Sequence, residues 1–130
     1  MRKLCLLFGA ALILLTGFLS AAPASADDGN FSVWRNNGLR CDFPNNTPTL
    51  GDCANDNVII QNSGYPCSGC DTIRLYWGSN YHGAFICIPR GVTYGKGGDP
   101  NLKFDRGFGL SGYGASVWNN AASAKWTGPC

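Results

Sequence analysis

A chain of 130 residues, 45% hydrophobic and 14% charged, has the size of one globular domain. Of its ten basic residues, Arg2 and Lys3 stand at the N-terminus, and the other eight are balanced by eight acidic residues. That near-neutral balance argues against nucleic acid or an anionic membrane as the main partner, since both demand a basic face. Glutamate is absent and His82 is the single histidine, which narrows acid–base chemistry to very few groups.

The first segment reads as an export signal. Arg2 and Lys3 precede an apolar run from Leu4 to Leu19, and Ala24-Ser25-Ala26 supplies a small-x-small cleavage site. Cleavage after Ala26 leaves residues 27–130 as a single secreted, extracellular domain. Cys5 departs with the signal. Cys41, Cys53, Cys67, Cys70, Cys87 and Cys130 remain, an even number in an exported chain, and full pairing is expected with the connectivity left open. At about 2–4 kcal/mol each, three disulfides are comparable to the net stability of a domain this small.

Helical periodicity is missing after the signal, and short β-favouring runs alternate with glycine and asparagine, which predicts an all-β domain. In chain order the expected strands are Phe31 to Arg35, Asn57 to Gln61, Thr72 to Trp77, Ala84 to Ile88, Leu102 to Phe104 and Ala115 to Asn119. Asn36-Asn37-Gly38 is a tight-turn signal after the first of them. Gly91 to Pro100 is glycine-rich and reads as an exposed loop. Val58 to Ser63 can be laid over Ser116 to Ala121, with an aromatic-and-glycine hairpin upstream of each. That faint repeat suggests two Greek-key units.

The most specific segment is Tyr76-Trp77-Gly78-Ser79-Asn80-Tyr81-His82-Gly83, with aromatic rings to cover a bent hairpin and a glycine where a β-carbon would clash. It resembles the folded hairpin of βγ-crystallin Greek keys. The resemblance implies that Tyr76, Tyr81 and Gly83 hold the hairpin, and that Ser116, late in the motif, hydrogen-bonds back to it. Over residues 72–126 the chain is also similar to the Streptomyces metalloproteinase inhibitor family. The similarity lies in Leu75-Tyr76 through Gly83, the loop Gly91 to Pro100, and Ala115-Ser116-Val117-Trp118-Asn119-Asn120. Over residues 31–64 it departs: Gly38 is kept, but Asn36 stands at the second aromatic position.

These resemblances imply two Greek-key motifs, about 31–71 and 72–130, in a disulfide-stapled βγ-crystallin-like sandwich. They further imply a non-enzymatic, proteinase-inhibitor-like binding protein that meets an extracellular metalloprotease. A monomer without cofactor is expected. Gly64-Tyr65-Pro66-Cys67-Ser68-Gly69-Cys70 is the candidate binding loop, restrained by a proline and two cysteines, with Tyr65, Pro66 and Ser68 as contact residues.

Other chemistries compete for the same residues. Calcium-binding members of the βγ-crystallin group carry an oxygen-rich signature; Ser111 to Ser116 keeps little of it, and Asn55 and Asp56 are weak calcium candidates in the first motif. Cys67-Ser68-Gly69-Cys70 reads as structural disulfide rather than as redox or zinc chemistry, since no βαβ pattern surrounds it. His82 has no nucleophile spacing to recommend it as a general base. Trp34, Trp77, Trp118 and Trp126 read as core residues; exposed together on one face, they would instead form a sugar-stacking platform. The alternatives to an inhibitor are therefore a carbohydrate or cell-wall binding module, antimicrobial in effect, and a structural exoprotein with weak calcium affinity.

Overall fold

The structure is a computed structural model in which residues 29–130 are described, so the expected signal peptide lies outside the described residues. The described chain is mostly β. Seven strands follow one another: β1 (Asn30–Arg35), β2 (Arg40–Phe43), β3 (Asn57–Ser63), β4 (Thr72–Tyr76), β5 (Phe85–Ile88), β6 (Thr93–Gly95) and β7 (Ser123–Thr127). Two single-turn 3-10 helices, Gly51–Cys53 and Ser79–Tyr81, lie in the connections.

Alternate strand residues supply the apolar core face, as a pleated backbone requires. On β1, Phe31 and Val33 are wholly buried; on β4 and β5, Ile73, Leu75, Ile86 and Ile88 point the same way. The strands assemble into two antiparallel sheets, ordered β2-β1-β3-β6 and β5-β4-β7. The inner faces of both sheets contribute to one core, which Leu50, Phe104, Val117 and Trp118 complete from the connections.

Each half of the chain lends a segment to the other. β6 follows β5 in sequence yet pairs with β3, placing Tyr94 opposite Ile60. Thr47, between β2 and β3, bridges to Ala124 on β7 through Thr47 N to Ala124 O at 2.9 Å and the reverse bond at 3.0 Å. A buried asparagine on β3 ties the two halves of the chain together. The Asn57 amide donates to Val117 O at 3.1 Å, and its Oδ1 accepts from Ala121 N at 3.4 Å. A buried amide bonded on both sides meets its full desolvation cost.

Three expectations are corrected. Leu102 to Phe104 and Ala115 to Asn119 do not form strands; a single bridge joins Lys103 to Ser116. Asn119 takes φ 63°, and the Asn120 amide bonds Ser116 O and Trp118 O, so asparagine side chains curl this backbone out of extension. The final strand is Ser123–Thr127 instead, and β7 pairs with β4 as β3 pairs with β1. The overlay of Val58 to Ser63 on Ser116 to Ala121 is therefore out of register: the counterpart of β3 begins near Ser123. Within the supposed loop Gly91 to Pro100, residues Thr93–Gly95 form β6.

Candidate functional site

Between β3 and β4, the two sheets are joined by a short loop that carries Tyr65, Pro66 and Ser68, all exposed. Cys67 pairs with Cys70, closing the loop on itself. The other disulfides join Cys41 to Cys53 and Cys87 to Cys130. All six cysteines expected to pair do so within the chain.

Asn62 anchors this loop at both ends. Its side chain is wholly buried, its amide donates to Asp71 O at 2.9 Å and Ile88 O at 2.8 Å, and its Oδ1 accepts from Gly64 N at 3.0 Å. One side chain thus grips the residues just before and just after the exposed stretch. Behind the loop lies Trp126: a β-carbon on Gly64 would come within 2.5 Å of its ring. Gly128 packs on Gly69, where an added β-carbon would meet Gly69 Cα at 3.1 Å. The base is packed and hydrogen-bonded, and the tip is open.

At the opposite end of β4 stands the hairpin Trp77 to Ala84. Tyr76 meets Tyr81 edge-on at 5.9 Å and Phe85 at 5.4 Å. Gly83 takes φ 83°, and a β-carbon there would fall 2.7 Å from Ser111 O, so glycine is required twice over. The hydroxyl that clamps this hairpin belongs to Ser123, which donates to Gly78 O at 2.6 Å and accepts from Tyr81 N at 3.0 Å. The residue expected in that role, Ser116, instead accepts from Trp118 N at 3.2 Å inside its own turn. In the first half the hairpin is shorter: Asn36 to Leu39 forms a tight loop closed by Gly38 N to Arg35 O at 3.0 Å.

Asp56 is paired with Arg35 Nε at 2.8 Å, and Asn55 is exposed in a left-handed turn at φ 55°. Among the described residues, no group of three or more His, Cys, Asp or Glu side chains could hold a metal ion. A cavity of about 90 Å³, bordered by Ile86, Cys87, Tyr94, Leu102, Lys103, Asp105 and Arg106, is smaller than the few hundred Å³ typical of small-molecule sites.

The tryptophans divide. Trp118 is in the core with its indole N–H donating to Asp99 O at 2.7 Å, and Trp34 and Trp126 are half-buried. Trp77 is exposed, beside the loop Gly107-Phe108-Gly109-Leu110-Ser111-Gly112-Tyr113-Gly114, whose apolar residues were not singled out from sequence. There Phe108 and Tyr113 meet edge-on at 5.3 Å and both face solvent. The signal was present as glycines alternating with large apolar residues, a pattern that suits neither strand nor core.

In comparisons with known proteins, no family model, no curated protein and no solved structure matches this chain.

Proposed function

We propose that this chain is a secreted, proteinase-inhibitor-like binding protein that offers the Gly64–Cys70 loop to the cleft of an extracellular metalloprotease. One observation carries the reading: exposed residues stand on a base fixed from both sides by the buried side chain of Asn62 and closed by Cys67–Cys70. A loop ordered before binding loses little conformational entropy on association, and it resists being drawn into a cleavable, extended shape. The metalloprotease class comes from the sequence resemblance over residues 72–126.

The same reading takes the fold as two interlocked Greek-key motifs of βγ-crystallin type. The parallel orders β2-β1-β3 and β5-β4-β7 support it, as do the crossing of β6 and the Thr47–Ala124 bridge. The three disulfides agree with an oxidising, extracellular setting.

The test is a titration of oxidised protein, residues 27–130, against a thermolysin-type metalloprotease, with a serine protease as control and intact mass recorded afterwards. Stoichiometric inhibition with the chain uncut is expected. Metalloprotease activity unchanged at a tenfold excess of the protein would remove the inhibitor reading.

A further inference from the structure

We propose that the surface formed by Trp77, Phe108, Leu110 and Tyr113 is a carbohydrate-binding platform for the apolar face of a neutral pyranose polymer. This site is separate from the Gly64–Cys70 loop. That loop precedes β4, whereas Trp77 follows it.

The loop that carries three of these side chains is packed against the fourth and held rigidly. Phe108 leans edge-on against Tyr113, next in sequence to Gly112, and Gly112 lies so close beneath the Trp77 indole that a β-carbon would come within 2.1 Å of its Cγ. Gly107, Gly109, Gly112 and Gly114 all take φ between 77° and 83°. Successive turns are closed by Leu110 N to Gly107 O at 2.9 Å, Tyr113 N to Leu110 O at 3.1 Å and Ala115 N to Gly112 O at 3.0 Å. Ala84 N to Ser111 O, at 2.8 Å, fastens the loop to the hairpin. The backbone is thus fixed by hydrogen bonds while its large side chains are left outside the core. Phe108 is 88% exposed, Leu110 51%, Tyr113 44% and Trp77 39%. Folding gains nothing from that arrangement, because exposed apolar area is unfavourable in water.

Size and charge select the occupant. Aromatic side chains carry roughly 150–250 Å² each, so the four residues expose on the order of 450 Å². One partner in a stable dimer buries about 800 Å², nearly twice as much. Neither the hairpin 77–84 nor the loop 107–114 contains Lys, Arg, Asp or Glu. The flanking charges, Asp105 beside Arg106 and Lys125 over the Tyr81 ring, carry both signs and make no one-signed field for an anionic membrane or nucleic acid. Within the two segments the exposed side chains Ser79, Asn80 and Ser111 are uncharged and hydrogen-bonding. Rings for C–H faces beside uncharged donors and acceptors form the complement of a neutral sugar.

The experiment measures retention of oxidised protein, residues 27–130, on insoluble chitin, cellulose and xylan. Phe108→Ala and the double variant Phe108→Ala/Tyr113→Ala run alongside. Retention on at least one matrix is expected, weakened roughly tenfold or more in the double variant, with an unchanged melting temperature. Phe108 is too exposed for its truncation to disturb the core. The proposal is overturned by no wild-type retention on any matrix, or by equal retention of the double variant. Phe108-dependent self-association in sedimentation, or Phe108-dependent binding to phosphatidylcholine vesicles, would likewise overturn it in favour of a second copy or a lipid surface.

Discussion

The hydroxyl of Ser123 lies 2.6 Å from the carbonyl oxygen of Gly78, a residue forty-five positions earlier. By also accepting the Tyr81 amide, this buried side chain on β7 holds the hairpin that follows β4 in its bent form. It does so beside the hairpin's own bonds, Trp77 N to Ala84 O and Gly78 N to His82 O at 2.9 Å each. It steadies a costly stretch, since Asn80 and Tyr81 both take left-handed φ without being glycine, at 54° and 62°.

Ser123→Ala therefore leaves Gly78 O and Tyr81 N unpaired, a cost of about 1–3 kcal/mol. Ser116→Ala removes only a contact within one turn and should cost under about 1 kcal/mol. Urea unfolding of the two variants side by side checks this ordering. A Ser116→Ala loss as large as that of Ser123→Ala would return the clamp to residue 116.

Asn62→Ala removes the side-chain partner of Asp71 O, Ile88 O and Gly64 N. A stability loss of about 3 kcal/mol or more is expected. The Gly64 amide should lose protection in hydrogen exchange, and the loop should become a site of limited proteolysis. Asn62→Asp would not rescue it, because an ionised carboxylate cannot donate to the two carbonyls and is costly to bury.

The disulfides should separate stability from binding. Cys87–Cys130 spans 43 residues and Cys67–Cys70 spans 3. On the loop-entropy account, replacing the first pair by serine costs about 4 kcal/mol and the second about 2 kcal/mol. Inhibition should follow the opposite order among variants that remain folded, lost with Cys67→Ser/Cys70→Ser and kept without Cys87–Cys130. Thermal melts and protease titration give the two readouts.

Gly112→Ala meets two obstacles, a left-handed φ of 83° and the indole of Trp77 at 2.1 Å. The loop must lift from the hairpin. A stability loss of about 1–3 kcal/mol is expected, with a red shift of tryptophan emission as Trp77 becomes more exposed. Gly109→Ala, which has the same φ of 83° and open space around it, should cost less.

Local chemistry made much of this legible in the sequence. The bent hairpin announced itself through Tyr76, Tyr81 and Gly83, because rings and glycine at that spacing answer a local need. The strands richest in Ile and Val were found for the same reason. Ser123–Thr127 was missed because Ser-Ala-Lys-Trp-Thr has weak β-preference of its own and is strand only through its pairing with β4. Val117 and Trp118 gave the contrary signal, being apolar and strand-like, yet they fill the core from a turn. At the candidate site, the exposed loop and its cysteines could be read directly. Asn62 could not, since its worth depends on carbonyls at Asp71 and Ile88 that only the fold brings near.

The crossing of β6 into the first sheet, and of Thr47 onto β7, bears on what a bitten loop would become. Gly64 to Asp71 is the seam between the two halves of the chain, and no disulfide crosses the Tyr65–Pro66 bond. Severing that bond would yield two peptides, each with a strand or bridge woven into the other's sheet. Neither could leave without unravelling the shared core. A protease that succeeded in cutting there would hold one nicked molecule rather than two separated products.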